Sequence, residues 1–154
     1  MQINFFEKLI GSGFYTGYAK KASGTFGSLA GLVIYLIPGF ENPSIMIFFI
    51  TLFILIGLPI ARKFEAVYGE DPKEYTNDEV IGMWITLLFI PKKIWWILLG
   101  FLIWRALDII KPFPARKLES VKNGWGVILD DIMAGIYSFI LLQLIIFYFN
   151  KIVG

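Results

Sequence analysis

Apolar residues are gathered along this chain into five runs, which polar or proline-containing segments separate. The runs cover residues 29–37, 44–60, 80–90, 94–104 and 132–149. A helix needs about 20 predominantly apolar residues to cross the hydrocarbon core of a bilayer. The second and the last run approach that length, and the first reaches it only if its helix starts near Gly24. The pattern predicts an all-α, small polytopic membrane protein.

Short turns join the first four runs into two helical hairpins. One turn covers residues 38–43 and begins and ends with proline, and the other covers residues 91–93. Proline fixes its φ angle and lacks an amide donor, so it favours such turns. Two hairpins and a final span bring four polar segments to one face of the protein: residues 24–28, 78–79, 105–122 and 130–131. The two turns and the C-terminal end lie on the other face.

The segment before the first apolar run has two parts. Residues 1–10 carry apolar side chains at helical spacing and predict a short amphipathic helix, either at the membrane interface or packed on the protein as a terminal helix. Residues 11–28 are rich in glycine and predict a loop. Where this loop enters the helix, backbone N–H groups with Thr25 and Ser28 could hold a phosphate. Close helix packing through small residues is the alternative interpretation.

The segment 61–79 is the first strongly charged one. Residues 62–68 are predicted to continue the preceding helix out of the membrane, and residues 69–72 (GEDP) to form a turn. On the face that holds this segment we count 11 of the 14 Lys and Arg residues. Because an excess of Lys and Arg marks the cytoplasmic side of a membrane protein, this face is predicted to be cytoplasmic.

Composition narrows the chemistry that such a protein can use. The chain has 154 residues, enough for one domain (1–154), and is 57% hydrophobic and 17% charged, with no histidine and no cysteine. Thiolate nucleophiles, imidazole bases and zinc sites built on cysteine or histidine are therefore excluded. A net charge of +2 gives no argument for a nucleic-acid partner. An active site here must rest on carboxylates, Lys, Arg, hydroxyl groups and a hard metal ion such as Mg²⁺.

Five carboxylates converge in the predicted topology: Asp78, Glu79, Asp108, Asp130 and Asp131. Crowded carboxylates repel one another unless cations compensate them, and Mg²⁺ or nearby Lys and Arg side chains would do so. A structural interpretation stands beside this one. The acidic pairs at 78–79 and 130–131 precede apolar runs and could be helix caps. Asp108 could form helical i,i+3 ion pairs with Arg105 and Lys111, and the basic residues could simply attract anionic lipids.

Four motifs resemble those of the phosphatidylglycerophosphatase A family, and they occur in that family's order. They are residues 24–29 (GTFGSL), 78–86 (DEVIGMWIT), 105–114 (RALDIIKPFP) and 126–135 (GVILDDIMAG). The resemblance extends from about Gly11 to Gly135. One departure is Ser23, where the family pattern leads us to expect proline; this change affects the rigidity of the loop more than its chemistry.

The resemblance implies a Mg²⁺-dependent phosphatase of the bacterial cytoplasmic (inner) membrane. Its substrate would be phosphatidylglycerophosphate, and its products phosphatidylglycerol and inorganic phosphate. We assign Asp78, Glu79, Asp130 and Asp131 to Mg²⁺ binding and water activation, with Asp108 as a further ligand or as a residue that orients Arg105 and Lys111. The predicted phosphate-binding residues are Arg105, Lys111, Arg116, Thr25 and Ser28.

Three other functions remain open from the sequence. The protein could hydrolyse another lipid phosphate, or it could transfer a lipid phosphoalcohol, which also uses aspartate clusters at a membrane surface. It could also be a non-catalytic lipid-binding or assembly protein, in which the carboxylates are only caps.

Overall fold

The chain is all-helical in the computed structural model, which describes residues 2–153. Its α-helices are α1 (Phe5–Gly11), α2 (Ser23–Leu36), α3 (Pro43–Tyr68), α4 (Asn77–Leu87), α5 (Ile94–Ile110), α6 (Ala115–Leu118) and α7 (Trp125–Val153), with a short 3-10 helix at Thr16–Tyr18. Within the described residues there is no β-strand, so the predicted all-α fold class is confirmed.

Local sequence signals set several helix ends. Asn4 caps α1 by accepting a hydrogen bond from the Glu7 amide, while the Glu7 side chain accepts one from the Asn4 amide. Asn42 caps α3, which has a proline in its first turn. Helix α5 ends at Lys111, whose φ of 47° is left-handed and which precedes a proline.

Helix α4 lies at the centre of the bundle, in contact with α2, α3, α5 and α7. It is buried on nearly every side, as the fully buried Val80, Ile81 and Met83 show. Its neighbours approach closely because Gly82 has no side chain. A Cβ atom there would lie 2.1 Å from the ring of Trp104 on α5. The third apolar run is therefore a core helix. Its packing fixes the position of Asp78 and Glu79, which lie in its first turn.

Two predicted boundaries were wrong. Helix α2 begins at Ser23, so residues 24–28 form its first turns rather than a loop. Helix α7 begins at Trp125, so Asp130 and Asp131 lie inside the helix and cannot cap it. The break before α7 comes earlier because Asn123 and Gly124 have left-handed φ angles of 66° and 76°. The buried apolar residues at 127 and 128 already belong to the helix.

The chain alternates direction through the bundle. The first turns of α2, α4 and α7 therefore lie at the same end as the last turns of α3 and α5. This end is the predicted polar face. Helices α3 and α7, with 26 and 29 residues, are long and apolar enough to cross a membrane, and only 28% of the most apolar stretch of each is buried within the protein. Helices α2, α4 and α5 are shorter, with 14, 11 and 17 residues.

Candidate active site

A cavity of about 340 Å³ opens at the polar end of the bundle. It lies between the first turns of α2, α4 and α7 and the last turn of α5. Seven of the sequence-predicted residues line it: Asp78, Glu79, Arg105, Asp108, Lys111, Asp130 and Asp131. The fold thus brings together all five predicted carboxylates and two of the three predicted cationic side chains. Together these residues span more than 50 positions of the chain, from Asp78 to Asp131.

Three carboxylates form a tight cluster within this cavity. One oxygen atom from each of Glu79, Asp108 and Asp131 lies within 4.8 Å of the other two. The three residues come from three helices: the first turn of α4, the last turn of α5 and the second turn of α7. Such an arrangement of oxygen donors could hold a hard divalent cation.

Arg105 joins α5 to α4 beside this cluster. Its Nη1 donates to Glu79 Oε2 at 2.6 Å and to Asp108 Oδ2 at 2.8 Å. The predicted i,i+3 pair between Arg105 and Asp108 is therefore present, but the same guanidinium also neutralises a carboxylate of another helix. The Arg105 Nε atom is buried and has no partner among the described residues. Among the described residues, the hydrogen bonds of this guanidinium come from Nη1, so the group keeps further N–H donors where it lines the cavity.

A buried hydrogen-bond network that includes Ser28 and Trp104 supports Glu79. Ser28 Oγ lies 3.1 Å from Glu79 Oε2 and accepts a 2.8 Å hydrogen bond from Trp104 Nε1. The Ser28 hydroxyl is also 2.9 Å from the Gly24 carbonyl oxygen. A Cβ atom on Gly24 would lie 2.0 Å from Glu79 Oε1. The glycine-rich motif of α2 thus serves close packing on α4, and Ser28 reaches a carboxylate rather than the open cavity.

Lys111 holds the other side of the cavity. Its Nζ donates to Asp130 Oδ2 at 2.7 Å and lies 3.4 Å from Glu119 Oε1. The predicted pairing of Lys111 with Asp108 does not form, because α5 ends at Lys111 and its side chain turns towards α7. Burial disfavours the charged form, but the hydrogen bond to Asp130 and the negative charges of Asp130, Asp71 and Glu119 together raise the pKa of the Lys111 ammonium above its ordinary value.

Asp78 and Asp131 differ from the other carboxylates because no protein cation compensates them. Both are almost fully buried, with 6% and 4% exposure. Among residues 2–153, neither lies within ion-pair distance of a Lys or Arg. The Asp130 Oδ1 atom is also buried without a partner. Buried unpaired carboxylates cost several kcal/mol each, so a hard cation such as Mg²⁺ fits this set of oxygen donors.

Comparison with known proteins decides which family this site belongs to. The family model described as phosphatidylglycerophosphatase A matches residues 9–146, which include every carboxylate of the cavity. The chain belongs to the phosphatidylglycerophosphatase A family. The resemblance read from the four motifs is thereby confirmed, and the chain is a phosphatase. A non-catalytic assembly function is set aside by this family membership.

Three relatives align with most of the chain. A Bacteroides thetaiotaomicron protein, provisionally named a phosphatidylinositol-3-phosphatase, is 39% identical over 90% of this chain and 92% of its own length. Proteins named phosphatidylglycerophosphatase A from Haemophilus influenzae and Escherichia coli are 38% and 36% identical. They cover 86% and 84% of this chain and 83% and 77% of their own lengths. No solved structure gives a significant match to the chain.

Two residues predicted to bind phosphate lie elsewhere in this phosphatase. Thr25 is not among the residues that line the cavity. Arg116 lines a second cavity of about 810 Å³, between the end of α3 and the segment that leads into α7, together with Arg62 and Lys122. The two cavities share Asp71. The interpretation of Arg116 and Thr25 as phosphate ligands stays a prediction, and the geometry gives it no direct support.

The sequence reasoning missed Trp104. This residue was read as part of an apolar run, yet its indole N–H supports the Ser28–Glu79 contact. Two features could have identified it. A buried tryptophan needs an acceptor for its N–H, and Trp104 lies next to Arg105, where polar acceptors were expected. Thr76 and Asp71 also line the cavity and were assigned only to a turn or a linker.

Proposed function

We propose that this protein hydrolyses the terminal phosphate monoester of phosphatidylglycerophosphate at the cytoplasmic face of a bacterial inner membrane. One observation carries the proposal: a chain of this phosphatase family gathers the five predicted carboxylates, Arg105 and Lys111 around one cavity at the polar end of its helices. The relatives named phosphatidylglycerophosphatase A support this choice of substrate.

In the proposed reaction a water oxygen forms a bond to phosphorus while the bond between phosphorus and the glycerol oxygen breaks. The bonding electron pair leaves with the glycerol oxygen, which takes up a proton, and inorganic phosphate is released. Arg105 and Lys111 both line the cavity, and their positive charge supports a role in binding the phosphate oxygens. The unpaired carboxylates of Asp131 and Asp78 are placed to take the proton of the attacking water.

The carboxylates also fit a Mg²⁺ requirement. Glu79, Asp108 and Asp131 would hold the ion, with Asp78 close by. When bound, Mg²⁺ supplies charge that neutralises the carboxylates and polarises a phosphoryl group. The sequence assigned Asp130 to Mg²⁺ binding together with Asp78, Glu79 and Asp131. Its hydrogen bond to Lys111 instead suits a residue that holds the Lys111 ammonium over the cavity.

Phosphate release from the purified protein in detergent tests the reaction. We expect release from phosphatidylglycerophosphate that requires Mg²⁺ and stops when a chelator removes it. Release that is unaffected by chelation would contradict the metal assignment. No release from this lipid, with or without Mg²⁺, would contradict the proposed function.

A second candidate substrate follows from the Bacteroides relative and its provisional name. Phosphatidylinositol 3-phosphate offers the same chemistry, a phosphate monoester on a lipid headgroup. A panel that compares kcat/KM for the two lipids under identical conditions separates the candidates. A higher value for the inositol lipid would replace the glycerophosphate lipid as the preferred substrate.

The membrane arrangement has its own test, because the chain contains no cysteine. Single-cysteine variants Lys122→Cys, on the polar face, and Lys93→Cys, on the turn at the other end, can be labelled uniquely. In intact cells we expect a membrane-impermeant maleimide to label only the Lys93→Cys variant. Labelling of Lys122→Cys from outside would reverse the predicted orientation.

A further inference from the structure

The N-terminal segment presents an exposed aromatic surface at the polar end of the bundle. Six aromatic side chains around α1 and the 3-10 helix are at least 39% exposed: Phe5, Phe6, Phe14, Tyr15, Tyr18 and Tyr68. Five of them form one connected group, since Phe5 packs on Phe6 and Tyr15, and Tyr15 packs on Tyr18. The Tyr18 hydroxyl in turn lies 3.3 Å from that of Tyr68. Exposed aromatic residues of this number in one patch indicate an interaction surface.

This surface lies at the level where the apolar part of α3 ends. The apolar run stops at Ala61, and Arg62 and Lys63 follow directly. Helix α1 packs on this boundary: a Cβ atom on Gly11 would lie 2.7 Å from both Ile60 and Phe64. The Glu7 carboxylate is ion-paired with Lys63. The segment is therefore held firmly against α3 at one depth along that helix.

Charge and chemistry favour a lipid surface as the occupant. Lys20 and Lys21 are exposed directly after the aromatic group. Tyrosine and other amphipathic aromatic rings are enriched at membrane–water interfaces, and lysines near the surface are attracted to anionic headgroups. The apolar part of α3 also carries exposed apolar side chains, such as Leu55.

We infer that this aromatic surface lies in the headgroup region of an anionic bilayer and fixes the depth of the active-site cavity. The mechanical connection is short. Thr16 Oγ1 lies 3.0 Å from the Oγ1 of Thr76, which lines the cavity. A Cβ atom on Gly17 would lie 2.1 Å from the Glu74 carbonyl oxygen, so the two backbones are in direct contact. The inference rests on the membrane location that we propose for α3 and α7.

Environment-sensitive fluorophores on single cysteines measure the depth of the surface, because the chain has no cysteine of its own. The test uses Phe6→Cys in vesicles of phosphatidylcholine and phosphatidylserine. Two reference positions bracket it: Leu55→Cys, seven residues before Arg62 and so about 10 Å deeper along α3, and Glu70→Cys in the turn after α3. We expect the Phe6 label to emit at a wavelength between those of the two references. A nitroxide near the headgroup should quench it more strongly than one near the chain end.

The readout needs no activity, so it fails separately from the proposed reaction. If the Leu55 label reports water, the membrane location itself is wrong. If the Leu55 label reports lipid and the Phe6 label matches the Glu70 label, the inference is overturned. A blue shift of the Phe6 label that depends on the protein-to-lipid ratio would also overturn it, because a second copy of the chain would then cover the surface.

The effect on depth is tested by the double variant Phe5→Gln with Phe6→Gln. We expect phosphate release several-fold below that of the unchanged protein in vesicles, while release in detergent is the same. If the double variant releases phosphate as fast as the unchanged protein in vesicles as well as in detergent, this surface does not set the position of the cavity.

Discussion

The two halves of the carboxylate cluster are stabilised in different ways. Glu79 and Asp108 share the Arg105 guanidinium, and Glu79 has a further contact with Ser28. Asp131 and Asp78 are buried at the same cavity, and among residues 2–153 neither lies within ion-pair distance of a Lys or Arg. Arg105 compensates the charges of the first half, whereas the charges of the second half would need a cation bound from solution.

This difference separates charges that the fold pairs with a cation from charges that it leaves unpaired. Removing one partner from a buried ion pair leaves an uncompensated charge and destabilises a protein by about 3–5 kcal/mol. Removing a charge that has no partner relieves a cost instead. The same change from a charged to a neutral side chain should therefore have opposite effects on stability in the two halves.

The largest effect is expected for Asp131→Asn. Loss of an outer-shell partner of a metal ligand costs roughly 10- to 100-fold in activity, and loss of a ligand should exceed that. Without Mg²⁺, however, the variant should unfold at the same temperature as the unchanged protein or higher. Added Mg²⁺ should raise the unfolding temperature of the unchanged protein but not that of the variant. Near-normal phosphate release by the variant would remove Asp131 from the site.

Arg105→Gln should have the reverse signature in the other half. It leaves Glu79 and Asp108 without their cation, so we expect a loss of about 3–5 kcal/mol in the free energy of unfolding, together with loss of activity. Thermal unfolding in detergent without Mg²⁺ measures this. If Arg105→Gln and Asp131→Asn change the unfolding temperature in the same direction, the distinction between the two halves is wrong.

A smaller effect is expected for Trp104→Phe, which removes one N–H donor and keeps a large ring. The Ser28 hydroxyl loses a hydrogen bond worth about 0.5–1.5 kcal/mol, and we expect Glu79 to be held less firmly. Activity should fall several-fold, and the Mg²⁺ concentration that gives half-maximal activity should rise.

Trp84→Phe is the matched control for this variant. Trp84 is equally buried on α4, and its indole N–H donates to the Gly31 carbonyl oxygen at 2.9 Å, away from the cavity. The two variants should lose similar stability, but only Trp104→Phe should change the Mg²⁺ concentration that gives half-maximal activity. Equal effects on that concentration would mean that Trp104 has only a packing role.

The sequence was sufficient for the fold class and for most charged residues of the cavity, because both depend on alternation between apolar runs and polar segments. Hairpin topology placed Asp78, Asp108 and Asp131 together. What the sequence could not predict was the pairing of charges. Arg105 and Lys111 lie six residues apart in one motif, yet Arg105 pairs with a residue of α4 and Lys111 with a residue of α7. The reason is that Arg105 lies within α5, whereas Lys111 follows its last residue and has a left-handed φ angle.

The smallest effect is expected for Arg116→Ala, which compares a cation outside the cavity with Arg105 inside it. Arg116 is exposed and lines the second cavity, and it has no ion-pair partner among residues 2–153. Surface changes of this kind usually alter the free energy of unfolding by less than about 0.5 kcal/mol, and we expect kcat/KM to stay close to that of the unchanged protein. Lys117→Ala, one residue away and not in either cavity, is the control. If Arg116→Ala raises KM well beyond the control, the second cavity takes part in binding the lipid headgroup, and the substrate site extends across Asp71.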